Sequence, residues 1–235
     1  MSYRSIKLLQ EVSAQDCSYL PGKQSRNIFV DPSIEMDQGL LDTLNINGFR
    51  RSGKLLYRPN CDTCNACKAT RVLCNEFKLS KSQKRIVKRN QDLQLSVAIV
   101  NDGPVYYSLY ERYISLRHQD GEMYPATNKQ FFNFLCQDFG NTRFLLAHKS
   151  NKLIACMVFD MVSDALSAVY CFYEPELEQR SLGSFMILTL IKMSQAMKMP
   201  YNYLGYWVEG CSKMDYKKNY GPLEVFSENV WQNLI

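Results

Sequence analysis

Cys61, Cys64 and Cys67 form a C-x-x-C-x-x-C array within the stretch GFRRSGKLLYRPNCDTCNACKATRVLCNEFKLSKSQKRIVKRN. Three thiolates this close can converge on one ion, and zinc would want a fourth ligand such as Cys17 or Cys74. The spacing also matches part of an iron–sulfur ligand set. Ordinary thiols in a loop are the other reading, because no second C-x-x-C follows. Arg58 and Lys68 flank the array and would favour ionised thiols. His118 and Asp120, in RHQDGEM, pair an imidazole with a carboxylate two residues away and could accept a proton. A helix end followed by an Asp-Gly turn explains the same residues. His148 reads as a strand-end decoration, and two histidines without a G-x-S-x-G give hydrolytic triads little support.

The cysteine array lies between dense basic clusters. From Gly48 to Gln91 there are twelve Lys or Arg against Asp62 and Glu76, so this segment carries +10 while the rest of the chain sums to −5. A cationic stripe on an otherwise acidic body suits a phosphate polymer, which makes nucleic acid the first partner to consider. Lys213, Lys217 and Lys218 form a smaller cationic group, and the second half is rich in tyrosine, including Tyr173 and Tyr206. Such tyrosines can line a pocket or pack as core residues with satisfied hydroxyls.

These groups need elements to hold them. The turn-forming run Asn101-Asp102-Gly103-Pro104 marks a boundary between an N-terminal lobe, 1–101, and a C-terminal lobe, 102–235. In the first lobe, IEMDQGLLDTLNI predicts a helix, GFRRSG, LLYRP and ATRVLC predict strands, and Ser80 with Gln83 forms a capping box opening SKSQKRIVKRN. On that helix Leu79, Ile86 and Val87 share one side, leaving Lys81, Lys84, Arg85, Lys88 and Arg89 for solvent or phosphate. In the second lobe two helices precede strands at RFLLAHK, KLIACMVFDMV and ALSAVYCFYE; a helix at RSLGSFMILTLIKMSQAMK and a strand at YNYLGYW follow. This succession predicts an α+β, GNAT-like (acetyltransferase-like) C-terminal lobe beside a smaller cysteine-containing α+β lobe, an analogy of fold that settles no function. Coenzyme A-dependent members of that fold carry Q/R-x-x-G-x-G/A at the helix start. Here Arg180-Ser-Leu-Gly-Ser-Phe185 puts a bulky ring at the last position, so an acyl donor other than acyl-CoA is expected. No apolar run is long enough for a signal peptide or a membrane span, and an odd count of nine cysteines argues against a disulfide framework. A cytoplasmic protein is expected.

Taken together, GFRRSGKLLYRPNCDTCNACKATRV, SQKRIVKRNQDL, YERYISLRHQDGEM, FYEPELEQRSLGSF and YLGYWVEGCSKMDYK resemble the arginyl-tRNA–protein transferase family, most closely its short bacterial branch, the aspartate/glutamate leucyltransferases. The resemblance spans nearly the whole chain. It implies transfer of leucine from leucyl-tRNA to the N-terminal amine of a protein beginning with Asp or Glu, a mark for N-end rule degradation, with neither membrane nor DNA as partner. Arginine as the transferred residue, a coenzyme A-dependent acetyltransferase, and a metal-bearing RNA-binding protein without catalysis are the competing readings. On the preferred reading His118, Asp120 and Tyr206 are the catalytic candidates, and Arg71, Arg180, Tyr173 and Lys213 bind substrate. Lys81, Lys84, Arg85, Lys88 and Arg89 hold tRNA, and Arg50, Arg51 and Arg58, also candidates for tRNA, could serve either task, phosphate or the acceptor's carboxylate. The chemistry needs no cofactor. Where eukaryotic members have C-G-Y-C, this chain reads Cys17-Ser18-Tyr19-Leu20, so Cys17, Cys61, Cys64 and Cys67 are candidate zinc or cluster ligands without a complete set.

Overall fold

In a computed structural model, which describes residues 6–139 and 141–234, the strands fall into a small sheet, a large sheet and a short hairpin. The small sheet comes from β1 (Leu8–Gln10), β4 (Asn27–Val30), β5 (Arg50–Ser52) and β6 (Leu55–Pro59), in the order β1-β4-β6-β5. β2 (Gln15–Asp16) and β3 (Gln24–Ser25) form the hairpin. The large sheet contains β7 (Cys67–Leu73), β8 (Gln94–Ile99), β9 (Thr142–Lys149), β10 (Lys152–Val162), β11 (Ala165–Tyr173), β12 (Tyr201–Val208), β13 (Leu223–Ser227) and β14 (Val230–Asn233). Its order is β14-β13-β7-β12-β11-β10-β9-β8, antiparallel except between β11 and β12.

The turn at 101–104 does not separate two sheets. β7 and β8, which both precede it, sit respectively inside and at the edge of the large sheet, so the division into lobes 1–101 and 102–235 cuts through hydrogen-bonded strands. β7 cannot belong to a surface lobe because Ala69, Thr70, Arg71 and Val72 are buried in succession, on both faces.

Among the described residues, five α-helices cover the sheets. Asp37 accepts from Leu40 N at 2.8 Å to start α1 (Gln38–Ile46), which packs with the small sheet around Tyr203 and Val162. At α2 (Lys81–Arg89) the predicted capping box forms: Gln83 N donates to Ser80 Oγ at 3.3 Å and Ser80 N to Gln83 Oε1 at 2.9 Å. α3 (Pro104–Arg117) and α4 (Asn128–Leu135) bury Tyr110, Ile114, Phe131 and Leu135 against one face of the large sheet. α5 (Leu182–Ala196) lies on the other face, where Ile86 and Val87 of α2 also pack. That leaves the five predicted α2 cations exposed.

Candidate active site

The sheet splits at its one parallel junction. β11 and β12 pair only over Ala165–Ser167 and Tyr201–Tyr203, after which β11 continues to Tyr173 and β12 to Val208 without pairing each other. β12 is bulged at the split, where Thr70 Oγ1 donates to the Gly205 carbonyl at 3.0 Å. At the far end of β11 the Tyr173 ring lies tilted 4.8 Å from Tyr113, which also meets His118 at 5.0 Å and Tyr170 at 6.4 Å. A Cβ on Gly183 would come 3.1 Å from Tyr173 Cε1, so the glycine in the first turn of α5 gives the ring its room. Phe185 does not stand over the helix start as expected. It is 5% exposed and packs into the core with Leu182 and Met186, so it obstructs nothing there.

Beside the split lies a cavity of about 430 Å³. Its walls are the hairpin segment 17–25, the face of the small sheet bearing Phe29, Leu55 and Tyr57, the cysteine loop, and Tyr206 and Glu122. Cys17, Cys61, Cys64 and Cys67 all reach it. Cys61 and Cys64 bridge as backbone partners, but among the described residues no group of three or more Cys, His, Asp or Glu is arranged to hold a metal ion. Nor is the Cys67 thiol made acidic. Burial, and then neighbouring Cys61, push Cys67 up to about 12. Arg58 donates to Asn47 O at 3.1 Å and Lys68 pairs with Glu209 at 3.4 Å, so neither is given over to the thiols. Among the described residues these cysteines are not arranged as a closed zinc or cluster site.

The predicted cations divide sharply. Lys81, Lys84, Arg85, Lys88 and Arg89 are exposed on α2, with Arg89 also donating to Gln179 O. Arg50 and Arg51, expected at a phosphate surface, are 5% and 8% exposed. Arg51 Nε and Nη2 grip Asp160 at 2.8 and 3.0 Å, an inward-facing pair that no phosphate backbone can reach. Arg50 stacks 4.5 Å over Tyr203. Arg71 and Arg180, expected to read a carboxylate from the substrate, already hold one each. Arg71 Nε donates to Glu224 at 2.6 Å between the Tyr201 and Trp231 rings, and Arg180 clasps Asp92 at 2.8 and 2.9 Å beside the end of α2. Arg58 is half-buried over Phe49.

The expected His118–Asp120 pair is also redistributed. His118 caps the end of α3 with Nε2 buried and unpartnered, and burial holds its pKa below the usual value. Asp120 is exposed and pairs with Lys213 at 3.6 Å. The Tyr206 hydroxyl is directed at the Gly48 and Tyr57 carbonyls, 2.8 and 3.0 Å away, so its single proton is committed to backbone. Two residues escaped the sequence reading. Lys217, read as part of a surface cluster, is 5% exposed, its Nζ donates to Tyr206 O, and burial, then Arg50, lowers its pKa to about 7. The flanking Tyr216 and Tyr220 were the available signal. For Asp160 the signal was a lone acid in the apolar run KLIACMVFDMV.

The split sheet with helices on both faces is an α+β, GNAT-like fold. The chain shares it with FemX, to which it is similar in structure with a TM-score of 0.50 at 10% identity over 83% of this chain and 68% of that one. Residues 15–85 match the family model described as arginine-tRNA-protein transferase, N terminus, and residues 105–227 match the one described as its C terminus. The chain belongs to the arginine-tRNA-protein transferase family. Its relatives include the aspartate/glutamate leucyltransferase of Teredinibacter turnerae, 43% identical over 219 residues, covering 93% of this chain and 90% of that one. The protein of the same name from Pseudomonas fluorescens strain Pf-5 is 45% identical over 215 residues, covering 92% of each.

Proposed function

We propose that this enzyme transfers leucine from leucyl-tRNA to the N-terminal amine of cytoplasmic proteins that begin with Asp or Glu, marking them for N-end rule degradation. The observation that carries the reading is the 43% identity, over 93% of this chain and 90% of the other, to a protein named for that activity. The exposed cations of α2 support it, since a tRNA acceptor stem needs a basic face. The alternative donor, arginyl-tRNA, is favoured by the name of the family alone.

The reaction is aminolysis of an ester. The acceptor amine attacks the leucyl carbonyl, a C–N bond forms, the bond to the tRNA 3′ oxygen breaks, and one proton passes from nitrogen to that oxygen. No enzyme nucleophile is needed. An α-amine titrates near 7.7–8.0, so part of it is already neutral at pH 7 and positioning supplies most of the acceleration. On this reading Lys81, Lys84, Arg85 and Lys88 hold phosphate, and His118 takes the ammonium proton, its imidazole kept neutral by burial. Radiolabelled leucine and, separately, arginine on charged tRNA should be offered to peptides that begin with Asp, Glu, Lys or Ala. Leucine incorporation confined to the Asp and Glu peptides is expected; incorporation from neither tRNA would refute the reading.

A further inference from the structure

Among the described residues Arg50 is a buried cation without an acid. Its Nη1 donates to Phe49 O at 2.6 Å and Asn45 O at 3.1 Å, while Nε and Nη2 are buried without a hydrogen-bond partner among the described residues. Those two atoms form the side-on fork of a guanidinium. On the neighbouring Arg51 the same fork holds Asp160. Lys217 lies close enough to Arg50 for the two charges to repel, and it too forms no ion pair among the described residues. A buried guanidinium beside a buried lysine, with no carboxylate between them among the described residues, calls for an anion.

The open fork lies behind the cavity wall, which Arg50 itself does not line. Arg50 stands directly opposite Tyr57 in the β5–β6 register, and cross-strand partners share a sheet face. Ser52, Leu55 and Tyr57 of that face line the cavity. The guanidinium lies among Tyr57, Tyr203 and Tyr206. Tyr57 and Tyr206, with rings 5.7 Å apart, are thus both its neighbours and part of the cavity wall.

We propose that Arg50, backed by Lys217, is the carboxylate-reading end of the acceptor subsite. The side chain of an N-terminal Asp or Glu enters the cavity, the Tyr57–Tyr206 wall parts, and the two carboxylate oxygens take the Arg50 Nε and Nη2 positions. The identity of the ligand as an acceptor rests on the proposed transferase reading; the requirement for a carboxylate rests on the open fork. A fork–fork contact of this kind separates Asp from its neutral isostere Asn, because only the charged oxygens match the buried cation.

The test is calorimetric binding of peptides that begin with Asp, Asn, Glu or Gln and are otherwise identical, without tRNA, to the intact protein and to Arg50→Gln, Arg50→Lys and Lys217→Met. Wild type should bind the Asp peptide at least about tenfold more tightly than the Asn peptide, the range of a hydrogen-bonded charge. Arg50→Gln should erase that ratio while leaving leucyl-tRNA affinity unchanged, and Arg50→Lys should restore only part of it. Equal binding of the Asp and Asn peptides by wild type, or a ratio preserved in both Arg50→Gln and Lys217→Met, overturns the proposal. Should circular dichroism show Arg50→Gln unfolded, Lys217→Met alone decides, with a reduced ratio expected. Because the readout is tRNA-free, it separates from the failure of leucine transfer, which would sink the transferase reading instead.

Discussion

The cations of α2 and those beneath the small sheet come from the same forty-residue basic stretch, yet they meet opposite environments. Lys81, Lys84, Arg85 and Lys88 remain in water, where a charge interacts weakly, over long range and under screening by salt. Arg50, Arg51, Arg71 and, from the C-terminal part of the chain, Lys217 are withdrawn from it. Each of these must find an acid, an aromatic face or a ligand, or else lose its charge. Exposed charge attracts a polymer; buried charge selects one group. The first can be read from composition, whereas the second depends on which partner the fold delivers.

The largest test of this contrast is Asp160→Ala. It leaves Arg51 buried without its acid and should lower stability by about 3–5 kcal/mol, measured by urea unfolding. The same substitution in a surface pair, Asp120→Ala opposite Lys213, should change stability by less than about 1 kcal/mol. Similar losses in both would erase the distinction between the regions.

Lys217 gives the next largest effect, with a sign that depends on pH. Its folded pKa, about 7, lies below its ordinary 10.5, so between those values the unfolded chain binds more protons and stability rises with pH. Below pH 7 the ammonium is charged in both states and the burial penalty is fully present. Lys217→Met should therefore be more stable than wild type at pH 6, by an amount on the order of a few kcal/mol, with the advantage shrinking toward pH 8.5. The buried thiols, Cys67 and Cys74 among them, titrate above that window in both proteins, so the difference between the two curves isolates Lys217. A pH-independent difference would mean that Lys217 is not held near neutrality.

For the exposed region the effect is smaller and lies in the salt dependence. Lys84→Glu with Lys88→Glu should reduce the slope of log affinity for tRNA against log salt by about two, roughly one for each phosphate that is no longer neutralised. Folding should be unaffected, since both side chains are exposed on a helix held by its cap and by Ile86 and Val87. An unchanged slope would take α2 out of the interface.

What could be read in the sequence follows the same division. Ser80 and Gln83, the apolar side of α2 and the strand runs from Thr142 to Tyr173 are local patterns, and each formed where the residues predicted it. The insertion of β7 between β12 and β13 is a pairing over more than a hundred residues, invisible to periodicity, and it is what buries Arg71 against Glu224. Arg50 and Arg51 are chemically identical neighbours, and only the alternation of a strand sends one fork to Asp160 and leaves the other open. His118 and Asp120 show the converse. Two residues past a helix, proximity in sequence did not prevent Lys213 from reaching the carboxylate first.

His118 gives the smallest expected effect. If its neutral imidazole takes the proton of the acceptor ammonium, its loss matters only while that amine is protonated in solution. With a pKa of 7.7–8.0 roughly a tenth to a sixth of the amine is free at pH 7, which caps the benefit of a base at about tenfold. His118→Gln should therefore slow leucine transfer by no more than that at pH 7, and the deficit should fade by pH 9, where the amine is free without help. A loss that persists unchanged at pH 9 would assign His118 to the packing of α3 against Tyr113 and leave positioning as the whole of the catalysis.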